Sequence, residues 1–196
     1  AEKLAQSAET TVHIRTAHRQ FYAQQLAGLL PQIHGVEPQA AFATIHQEIG
    51  NVRHAWQHAI EQLDLPSLSQ MMGALFLFYE RQGWFGEGEE RMATAVSAIQ
   101  QANRKERTAV RLLGGLLARQ GALVGRIGRF SEAEEKLRQS IEQARQATDP
   151  NLLAFALIEL GRLLRDHSRF EQAADAFQEG LEIAEELKDP LMLAIA

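Results

Sequence analysis

Three histidines have the spacing in this sequence that comes closest to a metal site. His54 and His58 are four residues apart and His46 lies two turns earlier, so all three could share one helical face. A zinc-enzyme helix usually supplies His-Glu-x-x-His and a third ligand from elsewhere, and neither the internal glutamate nor an obvious third ligand is present. The spacing therefore favours a surface or half-buried histidine pair, and we predict no metal site.

Other catalytic motifs are missing from the sequence. A phosphate-cradling loop needs Gly-x-x-x-x-Gly-Lys-Ser/Thr, and none of the four lysines follows a glycine. There is no Gly-x-Ser-x-Gly elbow, and the lack of cysteine excludes disulfides, iron–sulfur clusters and a cysteine nucleophile. The glycine-rich stretch 83–88 is typical of an inter-helix turn. We predict no catalytic residue, no cofactor and no enzyme activity.

Composition limits the partners of the chain. Its 196 residues, 45% hydrophobic and 23% charged, fit one or two globular domains, and the net charge of -5 argues against a broad nucleic-acid-binding surface. One basic cluster, residues 103–107 with Arg111, could touch phosphate, although an exposed loop and first helical turn is the favoured interpretation. No apolar run approaches the roughly 18 residues that span a bilayer, and the first residues lack the apolar segment of a secretory signal. We expect a cytoplasmic protein with no membrane or direct nucleic-acid partner.

The residue types predict an all-α fold. Alanine, leucine, glutamine, glutamate and arginine dominate, and no alternating strand pattern is convincing. A first helix is expected over about residues 2–30, ending before Pro31, because the residue before proline disfavours the α region. Pro38 suits the first turn of a second helix, which should run to about Asp64.

The second part of the chain repeats itself. Asp149-Pro150 recurs 40 residues later as Asp189-Pro190, and Phe130 recurs as Phe170. Apolar or small residues follow each phenylalanine at offsets that place them on one helical stripe. The three stripes are Gly88, Met92, Val96 and Ile99 after Phe85; Ala133, Leu137, Ile141 and Ala144; and Ala173, Phe177, Leu181 and Ala184. The stretch 131–134 reads as a capping box that opens its helix.

Each repeat is predicted to be a helical hairpin with helix A followed by helix B. Gly121 and Gly161 should sit in helix A where a neighbouring helix approaches closely, and helix B should start near the phenylalanine. We expect Phe130 and Phe170 to be buried at these turns. Because one hairpin cannot bury both of its faces, neighbouring hairpins should stack into a right-handed superhelix; the alternative is a bundle of unrelated helix pairs.

This periodicity predicts two regions. Residues 1–65 form an N-terminal helical linker or capping region, and residues 66–196 form the repeats. The repeats are predicted at about 66–102, 108–148 and 151–188, with a truncated repeat at 189–196. Because solenoids usually end in a polar capping helix, the apolar last residues suggest a piece of a longer protein.

The repeat resembles the tetratricopeptide family in a form of about 40 residues. That family carries a leucine-glycine pair in helix A, an alanine early in helix B and a bulky residue four positions later. Leu160-Gly161, Ala173 and Phe177 match this pattern, and Gln120-Gly121, Ala133 and Leu137 match it in the preceding copy. The resemblance covers about residues 66–196 and implies a module that binds a protein or peptide on the concave face of its A helices.

A second resemblance lies before the repeats. The stretch 48–55, Glu-Ile-Gly-Asn-Val-Arg-His-Ala, is followed by Phe-Tyr-Glu-Arg-Gln-Gly-Trp-Phe at 78–85. This arrangement is similar to the helical linker before the repeat sensor of bacterial STAND (NB-ARC-type) signalling ATPases. The resemblance implies a non-catalytic sensor module from a larger signal-transducing ATPase or transcriptional regulator, with other domains of the same parent chain as possible partners. The alternative is a free-standing tetratricopeptide scaffold that binds acidic peptides.

The resemblance also implies which residues would bind. Carrying the concave face onto this register gives Glu80, Arg81, Ala118, Ala122, Arg126, Ile158, Arg162 and Arg165. The predicted binding residues are the four arginines among them, Arg81, Arg126, Arg162 and Arg165. Guanidinium groups bind carboxylates bidentately, so the row would suit an acidic peptide or another carboxylate ligand. The alternative is that these arginines pair with Glu80, Glu159 and Asp166 nearby.

Overall fold

The chain folds entirely into α-helices over the part that is described. The computed structural model describes residues 2–36 and 38–188, with side chains from residue 11 onward, and contains no strand within those ranges. The helices are α1 (Glu2–Ile33), α2 (Pro38–Glu61), α3 (Leu65–Gln82), α4 (Phe85–Gln101), α5 (Arg107–Arg126), α6 (Phe130–Ala147), α7 (Pro150–Asp166) and α8 (Phe170–Leu187). The all-α, helical-repeat fold class is confirmed. Among these helices, none is long and apolar enough to cross a membrane.

The helices form two compact units, residues 1–78 and residues 79–196. The first unit holds α1, α2 and most of α3, and the second begins in the last turn of α3. The boundary predicted at residue 65 lies at the start of α3 and stays a prediction. The truncated repeat at 189–196 lies outside the described residues.

In the first unit, α1 is longer than predicted. The helix continues through Pro31 to Ile33, so the expectation that it ends before the proline is wrong. Pro31 lies in the last turn, where its missing N–H removes only one helical hydrogen bond, and Ile33 beyond it is buried. The second helix begins at Pro38 as predicted and ends at Glu61.

The second unit repeats one turn between helix A and helix B. Gly83, Gly128 and Ser168 each lie two residues before the first residue of helix B, and each has a positive φ of 60–82°. After each of them, an N–H donates to the carbonyl five residues earlier: Trp84 to Tyr79, Arg129 to Val124, and Arg169 to Leu164. This is a Schellman-type helix end repeated three times. Helix B therefore starts at Phe85, Phe130 and Phe170, as the sequence predicts.

The predicted capping box is wrong. Helix α6 begins at Phe130, which places Ser131 inside the first turn instead of at the N-cap. The N-cap position is Arg129, which makes no side-chain capping bond. The turn between the helices thus ends two residues earlier than the Ser-x-x-Glu signal suggests, because the Schellman bonds determine where the chain leaves α5.

Close packing at the two helix A glycines is confirmed. A Cβ on Gly121 would lie 2.8 Å from Leu137 of α6, and one on Gly161 would lie 2.8 Å from the ring of Phe177 on α8. Both distances are far below van der Waals contact, so glycine at these positions allows helix A and helix B of one hairpin to approach.

The two phenylalanines that open helix B differ in burial. Phe130 is partly buried because His167, at the end of α7, stacks on its ring. Phe170 is 64% exposed, so the expectation that both rings are buried is wrong. The ring of Phe130 is covered by a residue of the following hairpin, whereas no described residue occupies the corresponding place over Phe170.

Candidate binding surface

Helices α5 and α7 are the A helices of two consecutive hairpins and pack against each other. Most of their side chains are buried in the core, including Ala118, Ala122 and Ile158, which the sequence had placed on the binding face. Three residues of α7, Phe155, Glu159 and Arg162, follow the i, i+4, i+7 spacing of one helical face. Together with Glu80 of α3 and Arg119 and Arg126 of α5, they make up what we call the A-helix surface.

Arg126 connects three consecutive A helices. Its Nη2 donates to Glu80 Oε1 of α3 at 2.8 Å and lies 3.6 Å from Glu159 Oε2 of α7. Its side chain is 29% exposed, so Arg126 remains partly in contact with solvent. A charged group shared between three helices can hold them together and can also meet an incoming ligand.

Glu159 lies at the centre of the surface. The residue is 4% exposed, and its carboxylate accepts a hydrogen bond of 2.9 Å from Arg162. Burial raises the pKa of Glu159 above its usual range, and the positive charges of Arg162 and Arg126 act in the opposite direction. Desolvation thus outweighs two favourable charges, because a carboxylate removed from water loses a large solvation energy.

Arg119 and Phe155 add a contact between a cation and an aromatic ring to the A-helix surface. The guanidinium carbon of Arg119 lies 4.8 Å from the ring centroid of Phe155, and Arg119 Nη1 donates to the carbonyl of Gly115 at 3.0 Å. Desolvation lowers the pKa of Arg119 to about 10, and the Glu159 carboxylate opposes this shift. Arg119 therefore remains charged at neutral pH, with its charge held over an aromatic face.

Of the four predicted binding residues, the structure brings two together. Arg126 and Arg162 both approach Glu159. Arg165 is exposed in the last turn of α7 and pairs with its neighbour Asp166 at 2.9 Å, and Arg81 is exposed in the last turn of α3. The alternative interpretation named three carboxylate partners, Glu80, Glu159 and Asp166. Each of them does pair with one of these arginines.

Arg119 and Phe155 were not predicted as surface residues from the sequence. The prediction placed the buried residues Ala118 and Ile158 on the binding face instead. The sequence did contain a signal: Arg119 and Glu159 are each flanked by apolar or small residues on their N-terminal side, and they lie 40 residues apart. Opposite charges at equivalent positions of neighbouring A helices attract each other, and the Glu159 charge does act to raise the pKa of Arg119. Among the described residues, no group of three or more histidines, aspartates or glutamates could hold a metal ion.

Comparison with known proteins agrees with the repeat geometry. A family model described as Tetratricopeptide repeat matches residues 112–186, which run from α5 to α8. No curated protein and no solved structure matches the chain. Proteins with tetratricopeptide repeats are generally non-catalytic scaffolds for protein interactions. The matched segment and the repeated hairpins together show that this region has a tetratricopeptide-like fold.

Proposed function

We propose that the A-helix surface binds an acidic segment of a protein or peptide partner. The observation that carries the proposal is the convergence of Arg126 and Arg162, from consecutive A helices, on one buried carboxylate. Both side chains are 29% exposed, so each is partly accessible to a ligand. Arginine suits this role because its planar group binds carboxylates bidentately.

Binding would proceed by exchange of carboxylates. An incoming carboxylate would replace Glu80 as the partner of Arg126, while Glu159 would keep the two guanidinium groups in position. The exchange substitutes one ion pair for another, so its net free energy is modest and depends on the neighbouring charges. Arg81 and Arg165 add positive charge around the surface, which would favour an acidic segment over a neutral one.

A peptide titration tests this function. We expect a fluorescently labelled peptide rich in glutamate to bind the chain, and Arg126→Gln with Arg162→Gln to weaken that binding at least about tenfold. The matched control is Arg138→Gln with Arg145→Gln, since those arginines also pair with glutamates but lie on α6. Binding should also weaken as salt rises. Equal affinity of both double variants for the peptide would exclude the A-helix surface.

The wider role we propose is that of a sensor attached to a switch ATPase or transcriptional regulator. The resemblance of residues 48–55 to the linker of such proteins supports this. Within that stretch Glu48 accepts hydrogen bonds from Asn51 at 2.8 Å and from Tyr22 of α1 at 2.7 Å, which ties α1 to α2. A ligand would act by binding one arrangement of the whole protein more tightly than another.

The gene sequence upstream of Ala1 tests the wider role. A nucleotide-binding core encoded there is the expected result for a sensor arm of an ATPase. A gene that encodes no such core would leave a free-standing scaffold, which is the alternative, and would not affect the peptide titration.

A further inference from the structure

A second candidate site lies apart from the A-helix surface, at the beginning of α5. A cavity of about 470 Å³ opens between the first turns of α5 and the turn from α6 to α7. We call it the α5 cavity. Its polar lining consists of Arg107, Thr108, Arg111, Thr148, Asp149 and Asn151. The volume falls in the range of small-molecule pockets, roughly 300–1,000 Å³.

Both arginines of the α5 cavity are anchored along part of their guanidinium groups. Arg107 donates from Nε to the carbonyl of Ala147 at 2.8 Å and from Nη2 to that of Thr148 at 3.2 Å. Arg111 forms an ion pair from Nε with Asp149. A guanidinium group has five N–H donors, so several remain on each side chain for a ligand. Anchoring removes side-chain freedom before binding and so lowers the entropic cost of a ligand contact.

The charges in the α5 cavity favour an anion. Asp149 is its one carboxylate, and both of its oxygens are engaged: Oδ1 accepts from the N–H of Leu152 at 3.1 Å, and Oδ2 contacts Arg111. Two cations and one committed carboxylate leave a net positive site. Two threonine hydroxyls and one asparagine amide add neutral hydrogen-bond donors.

The repeat itself does not explain these arginines. Counted from the first residue of each helix A, Arg107 and Arg111 of α5 correspond to Pro150 and Ala154 of α7. The same hairpin architecture is thus built in the next repeat without a basic residue at either position. The two arginines are therefore specific to the α5 cavity and do not belong to the repeat pattern.

We propose that the α5 cavity binds the phosphate group of a small molecule. Phosphate offers several acceptor oxygens and matches the planar donor edge of arginine. The cavity is much larger than a phosphate ion, so the rest of the ligand would occupy the remaining space. The ligand could instead be inorganic phosphate itself, and the following experiment distinguishes a phosphate ester from the free ion.

Calorimetric titration of the full chain with glucose 6-phosphate and with inorganic phosphate tests the site. We expect both to bind, with the sugar phosphate tighter if the ligand is an ester and equal affinities if it is phosphate itself. Arg111→Gln should weaken binding at least about tenfold. This side chain is 64% exposed, so the substitution should leave the fold intact, which circular dichroism verifies.

Two controls separate this site from the A-helix surface. Arg138→Gln removes an arginine of similar exposure from an ion pair on α6 and should leave phosphate binding unchanged. The Arg126→Gln and Arg162→Gln double variant should also retain it. The proposal is overturned if neither compound binds at millimolar concentration, or if Arg111→Gln and Arg138→Gln reduce binding equally.

Discussion

The ring of Phe130 stacks on the imidazole of His167, with centroids 3.8 Å apart and the planes at 30°. The two residues belong to consecutive hairpins, since Phe130 is the first residue of α6 and His167 follows the last residue of α7. Arg169 adds a second contact, with its guanidinium carbon 5.6 Å from the same ring centroid. One aromatic side chain thereby joins the turn of one repeat to the turn of the next.

Phe130→Ala should therefore destabilise the chain more than Phe170→Ala does. Loss of the partly buried, stacked ring should lower the free energy of unfolding by about 2–3 kcal/mol, whereas loss of the exposed ring should cost less than about 1 kcal/mol. Urea denaturation followed by circular dichroism measures both. A larger loss at Phe170 would contradict the stacking geometry.

Ser168→Gly should stabilise the chain, and Gly128→Ser should destabilise it. Both positions have the left-handed backbone conformation at the same place in the repeat, with φ of 60° at Ser168 and 82° at Gly128. A side chain in this conformation costs about 1 kcal/mol, so the two substitutions should shift the free energy of unfolding by about that amount in opposite directions. Thermal melts of the two variants beside the unchanged chain provide the measurement. Shifts of the same sign would show that the two turns are not equivalent.

Gly161→Ala should destabilise the chain by about 1–3 kcal/mol, because the added methyl group would collide with the ring of Phe177. Gly50→Ala is the matched control within α2, where no atom lies within 4 Å of the added Cβ. That substitution should instead stabilise by about 0.5–1 kcal/mol through helix propensity. Chemical denaturation of both variants compares them directly; stabilisation by Gly161→Ala would mean that α7 and α8 are less closely packed than described.

Glu159→Gln and Glu134→Gln should change the pH dependence of stability in opposite directions. The pKa of Glu159 is raised by burial, so its folded state binds a proton more tightly than its unfolded state. The unchanged chain should then lose stability relative to Glu159→Gln as pH rises above about 4.5, the ordinary value for glutamate.

The pKa shift of Glu134 has the opposite sign to that of Glu159. Burial raises its pKa, but hydrogen bonds from Arg169 and Arg138 outweigh burial and lower it overall. The unchanged chain should lose stability relative to Glu134→Gln as pH falls below about 4.5. Denaturation midpoints between pH 3 and 7 for the three proteins check both slopes, and parallel curves for the two variants would rule out the assigned shifts.

The start of each helix B could be predicted from sequence because its causes are local. The turn residue and the phenylalanine two positions later repeat with the chain, and the hydrogen bonds that fix the turn span only five residues. The position of Pro31 shows the limit of local reasoning. A proline in the last turn removes only one hydrogen bond from the helix, and Ile33 beyond it is buried.

Features that depend on the neighbouring hairpin could not be predicted in the same way. Phe130 and Phe170 have the same position in the repeat, yet an imidazole stacks on Phe130, whereas no such ring among the described residues covers Phe170. The A-helix surface depends likewise on how α5 lies against α7. The residues predicted on this surface, Ala118 and Ile158, each come one position before the residues observed there, Arg119 and Glu159.

The burial of most of α5 has a consequence for folding kinetics. Within the second unit α5 contacts α4, α6 and α7, whereas α8 contacts α7. Each hairpin is built from residues close in sequence, which favours rapid folding because little chain entropy is lost before the first contacts form. We expect the transition state to contain α5 with α6, and hydrogen exchange in the native state to be slowest in α5 and fastest in α8.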